Sequence, residues 1–176
     1  MRVVSGTARG RRLSAPLAPS IRPTTDRVKE SIFDILGSLG GVAEMTVADL
    51  FCGSGALGIE ALSRGAASVA FIDADRAALT AVTANLAAVG LGGASHTIVQ
   101  GRIPGALLPK VDLVLADPPY DFDQVDEVLA SIDAQILVLE SRATPEIPSG
   151  WVSHRQRRYG GTLVTVMVRA DERTEQ

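Results

Sequence analysis

The chain has 176 residues, a mass of 18.4 kDa and a formal net charge of −3, with 46% hydrophobic and 21% charged residues. That length suits one domain, or one domain with a small appendage, and the balance excludes a disordered or low-complexity chain. Aromatics are 4% and Cys52 is the single cysteine, so the core must be built from Ala, Val, Ile and Leu; a disulfide scaffold or a cysteine zinc site is excluded.

Charge is unevenly spread. Residues 1–30 carry seven basic groups (Arg2, Arg9, Arg11, Arg12, Arg22, Arg27, Lys29) against Asp26 and Glu30, while the rest of the chain is acidic. A second basic cluster, Arg155, Arg157 and Arg158, lies beside His154. Salt confines each patch's field to about 8–10 Å, so basic patches on an acidic body can still hold phosphates. Solvated surface arginines are the plainer alternative. No basic-plus-apolar leader follows Met1, and the longest uncharged run, 77–101, is broken by Thr83, Asn85, Gly90, Gly92, Gly93, Ser95 and His96. A cytoplasmic protein with no membrane attachment is expected.

In chain order, Arg2–Ser5 and Arg11–Leu13 flank a turn-like Gly6–Gly10, which predicts a hairpin. Pro16, Pro19 and Pro23 then keep the chain irregular. Thr25 can cap a helix that carries the stripe Val28, Ile32, Ile35 and Leu36 and ends at Gly37–Gly41. From residue 46 short apolar runs alternate with helices. Strands are predicted at 46–51, 68–73, 96–100, 111–116 and 135–140. Helices are predicted from the Gly-rich turn to Gly65, after Asp75 (stripe Leu79, Val82, Leu86, Val89), and over Val125–Ile132. Continuous apolar strands in a βα rhythm imply a parallel sheet covered on both faces. Runs 151–158 and 162–169 are joined by Gly160-Gly161, too short for a crossover helix, so they form an antiparallel hairpin. The expectation is an α/β Rossmann-like sheet ending in that hairpin, with residues 1–40 as a hairpin-and-helix extension and residues 41–176 as the main domain.

Asp49-Leu50-Phe51-Cys52-Gly53-Ser54-Gly55-Ala56-Leu57-Gly58 contains G-x-G-x-x-G directly after a strand, and Asp73 ends the next strand. Glycines let a nucleotide lie against the backbone, and a carboxylate on the second strand can accept from both ribose hydroxyls. A nicotinamide dinucleotide and S-adenosylmethionine both satisfy this pattern. For the latter, Asp49 could accept from the amino-acid ammonium; its plainer role, a buried carboxylate bonded to loop amides, is compatible with that. Cys52 has no base nearby in sequence and reads as a small packing residue. His96 and His154 read as a strand-edge and a surface residue, so no metal site is expected.

Asp117-Pro118-Pro119-Tyr120 closes the fourth strand, at the end of the sheet where ligands bind. Its chemistry suits methyl transfer to a planar exocyclic amine, whose lone pair is delocalised. The Asp117 carboxylate and Pro118 carbonyl can each accept one N–H, localising the lone pair toward a methyl donor, while Tyr120 stacks on the base. Phe122 extends that wall or packs under the loop.

Taken together, these stretches resemble class I S-adenosylmethionine-dependent methyltransferases acting on amino groups, and more narrowly the RsmD family of 16S rRNA guanine-N2 methyltransferases. The resemblance rests on Arg2-Val3-Val4-Ser5-Gly6, Arg9-Gly10-Arg11-Arg12-Leu13, Arg22-Pro23-Thr24-Thr25-Asp26-Arg27-Val28-Lys29-Glu30, Phe51–Gly58 with Glu60–Gly65, and Asp117–Tyr120. It implies S-adenosylmethionine as cofactor, with Asp49, Phe51 and Gly53-Ser54-Gly55 around the methionine part and Asp73-Ala74 at the ribose. Asp117, Pro118 and Tyr120 would hold the target base. The 22–27 segment would close over the pocket, with Thr24 and Thr25 near cofactor or base. Many relatives have an acidic residue near the end of strand three; here that region reads Gln100-Gly101-Arg102-Ile103, so adenine would rest on backbone groups and apolar packing near Arg102 and Ile103.

The motif alone leaves guanine N2, adenine N6 and glutamine N5 open. With about 45 residues ahead of the sheet, no separate duplex-reading domain is expected, which favours an exposed base in folded RNA. Arg9, Arg11, Arg12, Arg22, Arg27, Arg155 and Arg157 are the expected RNA contacts. The resemblance implies 16S rRNA in the small ribosomal subunit or an assembly intermediate as partner, and a monomer is expected. A dinucleotide-dependent oxidoreductase and a non-catalytic RNA-binding module are the readings from other classes.

Overall fold

The computed structural model describes residues 1–14, 25–119 and 121–170. Its elements are α1 (Asp26–Ser38), β1 (Thr46–Leu50), α2 (Ala56–Ser63), β2 (Ser68–Asp73), α3 (Arg76–Ala88), β3 (His96–Gln100), β4 (Leu113–Ala116), α4 (Val125–Ser131), β5 (Ile136–Ser141), β6 (Trp151–Tyr159) and β7 (Thr162–Arg169). Both capping residues anticipated from sequence close their helices: Thr25 Oγ1 accepts from Val28 N at 3.3 Å, and Asp75 Oδ1 from Ala77 N at 2.8 Å.

The seven strands form one sheet in the order β3-β2-β1-β4-β5-β7-β6. β1 to β5 are mutually parallel; β7 runs antiparallel to β5 and β6 antiparallel to β7. The chain winds one way from β1 through β2 to β3, then returns to place β4 on the other side of β1. The switch point, where open α/β sheets bind ligands, therefore lies at the carboxyl ends of β1 and β4.

Strand alternation divides the core in two. Val47, Val69, Phe71, Leu113, Leu115, Val138, Val164 and Val166 pack with α1, α2 and α3. Ala48, Leu50, Ile72, Val114, Ala116, Leu137, Leu139 and Met167 pack with α4 and the loop around Ile103. The sheet is thus covered by three helices on one face and by α4 with loops on the other. β4 starts at Leu113, two residues later than predicted, although Asp112 still joins β1 through its backbone N–H, which donates to the Thr46 carbonyl at 3.0 Å, and adds its side chain to that contact. Its Oδ2 accepts from Thr46 N (2.8 Å) and Oγ1 (2.7 Å), clamping the start of β1.

The N-terminal arm, residues 1–14, is a looser hairpin than the sequence suggested, with one antiparallel bridge between Arg2 and Arg12. It lies on α2 and α3 and shares their apolar cluster through Val3, Ala8 and Leu13. Gly6 is required where the arm crosses the end of α2: a Cβ there would sit 1.8 Å from the Ser63 carbonyl oxygen. The expectation that Lys29 belongs to a surface basic patch is corrected. Its side chain is fully buried between Glu60 (3.7 Å), Asp26 (3.8 Å) and the Arg2 carbonyl, because α1 turns that position toward α2 and the arm. Burial pushes the Lys29 amine below its usual range, against the upward pull of Glu60 and Asp26.

Candidate active site at the sheet switch point

Leu50 pairs with Ile72 on one side and Ala116 on the other. One residue further along each strand stand Asp73 and Asp117, flanking the point where β1 becomes the Gly-rich loop. Alternation sends both toward the α2 face, as it does Asp49. Asp49 is buried and its carboxyl is held well above the usual carboxylate range, first by burial, with the charges of Asp117 and Asp73 adding to it. Three carboxylates therefore converge at the switch point.

The loop's glycines divide their labour. Phe51 (φ 56°) and Gly53 (φ 53°) turn the chain through the left-handed region. A Cβ on Gly53 would meet no atom closer than the Phe51 carbonyl oxygen at 3.9 Å, so this stretch of backbone is open to a ligand. Gly55 and Gly58 instead serve packing. A Cβ on Gly58 would lie 2.4 Å from Phe71 Cε1 and 2.9 Å from Asp49 Oδ2. That close approach lets Gly58 N donate to Asp49 Oδ2 at 2.8 Å, fixing the first turn of α2. Asp49 thus takes the loop-amide role weighed from the sequence. Asp73 braces the other side, its Oδ2 accepting from Gly53 N and its Oδ1 from Asp75 N, both at 2.9 Å. Each of its oxygens keeps a second lone pair, which suits a ribose diol.

Ser54 is buried, and its carbonyl accepts from Asn85 Nδ2 at 2.9 Å. Ala74 is exposed at the rim, its carbonyl 3.4 Å from Gln100 Nε2. Arg102 is exposed and Ile103 buried in the α4-side cluster, so apolar surface, not an acidic acceptor, lies beyond β3. Cys52 is buried, and burial drives its thiol far above the usual range, so it is no nucleophile.

Asp117 is half-buried and Pro118 buried at the end of β4. Tyr120 lies outside the described residues. Phe122 N donates to the Pro119 carbonyl at 2.9 Å, and the Phe122 ring packs edge-on against Phe51, with centroids 5.0 Å apart. Of the two roles open to Phe122, packing under the loop is the one seen; it ties the Asp-Pro-Pro turn to the Gly-rich loop.

The basic residues separate. Arg9 and Arg27 line one groove between the arm and α1. Arg12 is exposed. Arg11 donates from Nη1 to the Val89 carbonyl, capping the end of α3. Arg155 and Arg157 pair with Val166 and Val164 on β7, which puts them on the α1 face of β6; both are exposed. The turn joining β6 to β7 lies at the carboxyl end of β5, since Ser141 pairs with Leu163, so Arg157 stands near the same rim as Asp117. Arg22 and Thr24 lie outside the described residues. Among the described residues, no group of three or more His, Cys, Asp or Glu side chains could hold a metal ion, and no helix is long and apolar enough to cross a membrane.

Sequence reasoning missed Glu60 and Asn85. Glu60 is fully buried and gathers Val4 N (2.7 Å), Ser5 N (2.9 Å), Arg64 Nε (2.8 Å) and Lys29. Asn85 falls on the apolar stripe of α3, three residues after Val82 and four before Val89. A polar residue on an apolar stripe was the signal available for it.

A family model described as conserved hypothetical protein 95 matches residues 1–168. The Escherichia coli (strain K12) protein named ribosomal RNA small subunit methyltransferase D is 34% identical over 91% of this chain and 85% of that one. YlbH of Bacillus subtilis (strain 168), named a putative rRNA methyltransferase, is 36% identical over 94% and 97%. The solved structure of yhhF from Escherichia coli superposes with a TM-score of 0.83 at 31% identity, covering 98% of this chain and 99% of that one.

Proposed function

The chain belongs to the conserved hypothetical protein 95 family, and from that premise we propose that it methylates RNA of the small ribosomal subunit, taking the methyl group from S-adenosylmethionine and placing it on the exocyclic N2 of a guanine. The family and its relatives make it a methyltransferase. The observation that carries the finer reading is the convergence of Asp49, Asp73 and Asp117 at the switch point, beside open Gly53 backbone. Such a crevice suits a ligand bearing a sulfonium and an ammonium. It is hostile to the pyrophosphate of a dinucleotide, which would face three carboxylates.

When bound, the donor supplies an electrophilic methyl group. The residues of the chain do the rest. Asp73 accepts from the ribose hydroxyls, Gly53–Gly55 carry the amino-acid portion along their backbone, and Ile103 offers apolar surface to the adenine. Asp117 and the Pro118 carbonyl each accept one N–H of the target amine. Held this way, the nitrogen lone pair would be shared less with the ring and would be free for the methyl group that the donor would supply, the carbon–sulfur electron pair staying with the donor's sulfur. The excess proton on nitrogen leaves along the Asp117 hydrogen bond to solvent. Prolines on either side of the Pro118–Pro119 bond keep the carbonyl fixed, so little reorganisation is needed at the moment of transfer.

Arg9, Arg12, Arg27, Arg155 and Arg157 are the proposed phosphate contacts, on the side of the sheet carrying α1 and the arm, and the enzyme works in the cytoplasm, where ribosomal subunits are built. The test is methyl transfer from labelled S-adenosylmethionine to unmodified small subunits and to naked 16S rRNA, followed by nucleoside digestion. Label in N2-methylguanosine is expected, with subunits the better substrate. Label in N6-methyladenosine alone would overturn the base assignment, and unlabelled RNA the substrate.

A further inference from the structure

The arm is fastened to the sheet domain at α2 and at α3, where Arg11 also reaches the Val89 carbonyl, and the two fastenings differ in character. One is α2, far from the loop: Glu60 takes Val4 N and Ser5 N, Thr7 N donates to the Ser63 carbonyl (2.8 Å), Ala8 N donates to Ser63 Oγ (2.9 Å), and Ser63 Oγ donates to the Ser5 carbonyl (2.6 Å). The other is Asn85. Its side chain is buried, 2% exposed, and both N–H groups and one lone pair of the oxygen are used: Nδ2 donates to the carbonyls of Ser14 and Ser54, and Oδ1 accepts from Ser14 N, all at 2.9 Å. Among the described residues, this carboxamide is the hydrogen-bonded link between the arm and the Gly53–Gly55 loop.

A rigid planar amide whose Nδ2 reaches both segments, and whose Oδ1 also holds the arm, transmits order. If the loop is fixed by a ligand, the Ser54 carbonyl stops moving, Asn85 is held in one orientation, and the arm loses less freedom when it settles on the other end. The same amide left with a wandering Ser54 carbonyl holds the arm less well. We infer that Asn85 is a positioning residue that couples occupancy of the Gly-rich loop to the placement of the arm, so that methyl donor and RNA bind cooperatively. This rests on the reading above, in which the donor sits on the loop and the arm carries Arg9 and Arg12 to the RNA. Coupling of this kind is reciprocal: whatever factor the donor adds to RNA affinity, RNA adds to donor affinity.

The experiment is hydrogen–deuterium exchange on the full chain with and without S-adenosylhomocysteine, for the wild type and for Asn85→Asp, which keeps the acceptor for Ser14 N but removes both donors. In the wild type the ligand is expected to slow exchange both at Gly53–Gly55 and at the hydrogen-bonded arm amides of Val3, Gly10 and Leu13, the latter about fivefold or more. In Asn85→Asp the loop should still be protected while the arm no longer responds. Should that variant not fold, Ser14→Pro, at an exposed arm position, removes the Ser14 N–H donation without touching the core and should weaken the arm response at Val3, Gly10 and Leu13. Loop protection without arm protection in the wild type would overturn the coupling, as would an arm response of undiminished size in the variant tested. No loop protection in the wild type would overturn the donor reading itself. The companion measurement is wild-type affinity for unmodified small subunits, expected to rise about fivefold or more with the ligand present; unchanged affinity would likewise overturn the coupling.

Discussion

A methyltransferase acting on an aromatic amine has to solve a problem of lone-pair geometry, and in the proposed function the solution falls to Asp117 and the Pro118 carbonyl. Removing the carboxylate by Asp117→Ala should leave the affinity for S-adenosylhomocysteine nearly unchanged, because Asp73 and the loop hold the ligand. The single-turnover methylation rate should fall by about 10²–10⁴-fold; a variant of near wild-type rate would remove Asp117 from the mechanism. Asp49 makes a different kind of claim. Burial raises its carboxyl well above the usual range, and Asp117 and Asp73 add to that. The folded state therefore holds this proton more tightly than the unfolded chain does. Stability attributable to Asp49 is full below its unfolded value and declines as pH rises toward its folded value. Asp49→Asn keeps an acceptor for Gly58 N and has no charge to desolvate. Its melting temperature at neutral pH should match or exceed that of the wild type, while S-adenosylmethionine binds more weakly because the amide cannot give up a proton when the donor's positive charge arrives. A variant both less stable and equally tight in binding would contradict this account.

At the level of elements, the βα rhythm was legible because its signals are local: alternation, Asx and Thr caps, and glycines at turns. β1, β2, β3 and both hairpin strands begin where the pattern places them. That β2 and β4 end beside β1 also follows from the motifs, since Asp73 and Asp117 must reach one crevice; the outer places of β3 and β5 do not. What was not legible depends on contacts distant in sequence. Lys29 reads as surface charge until α1 is laid against Glu60, and Arg11 reads as an RNA contact until the arm is laid against the end of α3. Phe122 could not be assigned before Phe51 was known to turn outward through a positive φ. The element most sensitive to a single methyl is α2. Gly58→Ala would drive a carbon into Phe71 and Asp49 and should cost about 1–3 kcal/mol, measured by urea unfolding. A loss below a few tenths would mean that α2 can shift away from the sheet freely.

Across the whole molecule, charge and topology agree with the proposed approach of RNA. The exposed arginines of the arm, the start of α1 and one side of β6 share the face of the sheet covered by α1, α2 and α3, while α4 and its flanking loops present Asp121, Asp123, Asp126, Glu127 and Asp133. Substituting Arg155 and Arg157 together by Ala should lower the slope of log affinity against log salt for small-subunit binding by roughly 1.4–1.8, about 0.7–0.9 for each phosphate no longer neutralised. An unchanged slope would make both ordinary surface residues. All of this presupposes that the crevice between β1, β2 and β4 takes a positively charged methyl donor. Titration calorimetry of the purified chain with S-adenosylmethionine and, separately, with NAD⁺ tests that most directly. One S-adenosylmethionine site per chain and no heat from NAD⁺ is the expected result; saturable NAD⁺ binding with none for S-adenosylmethionine would contradict it.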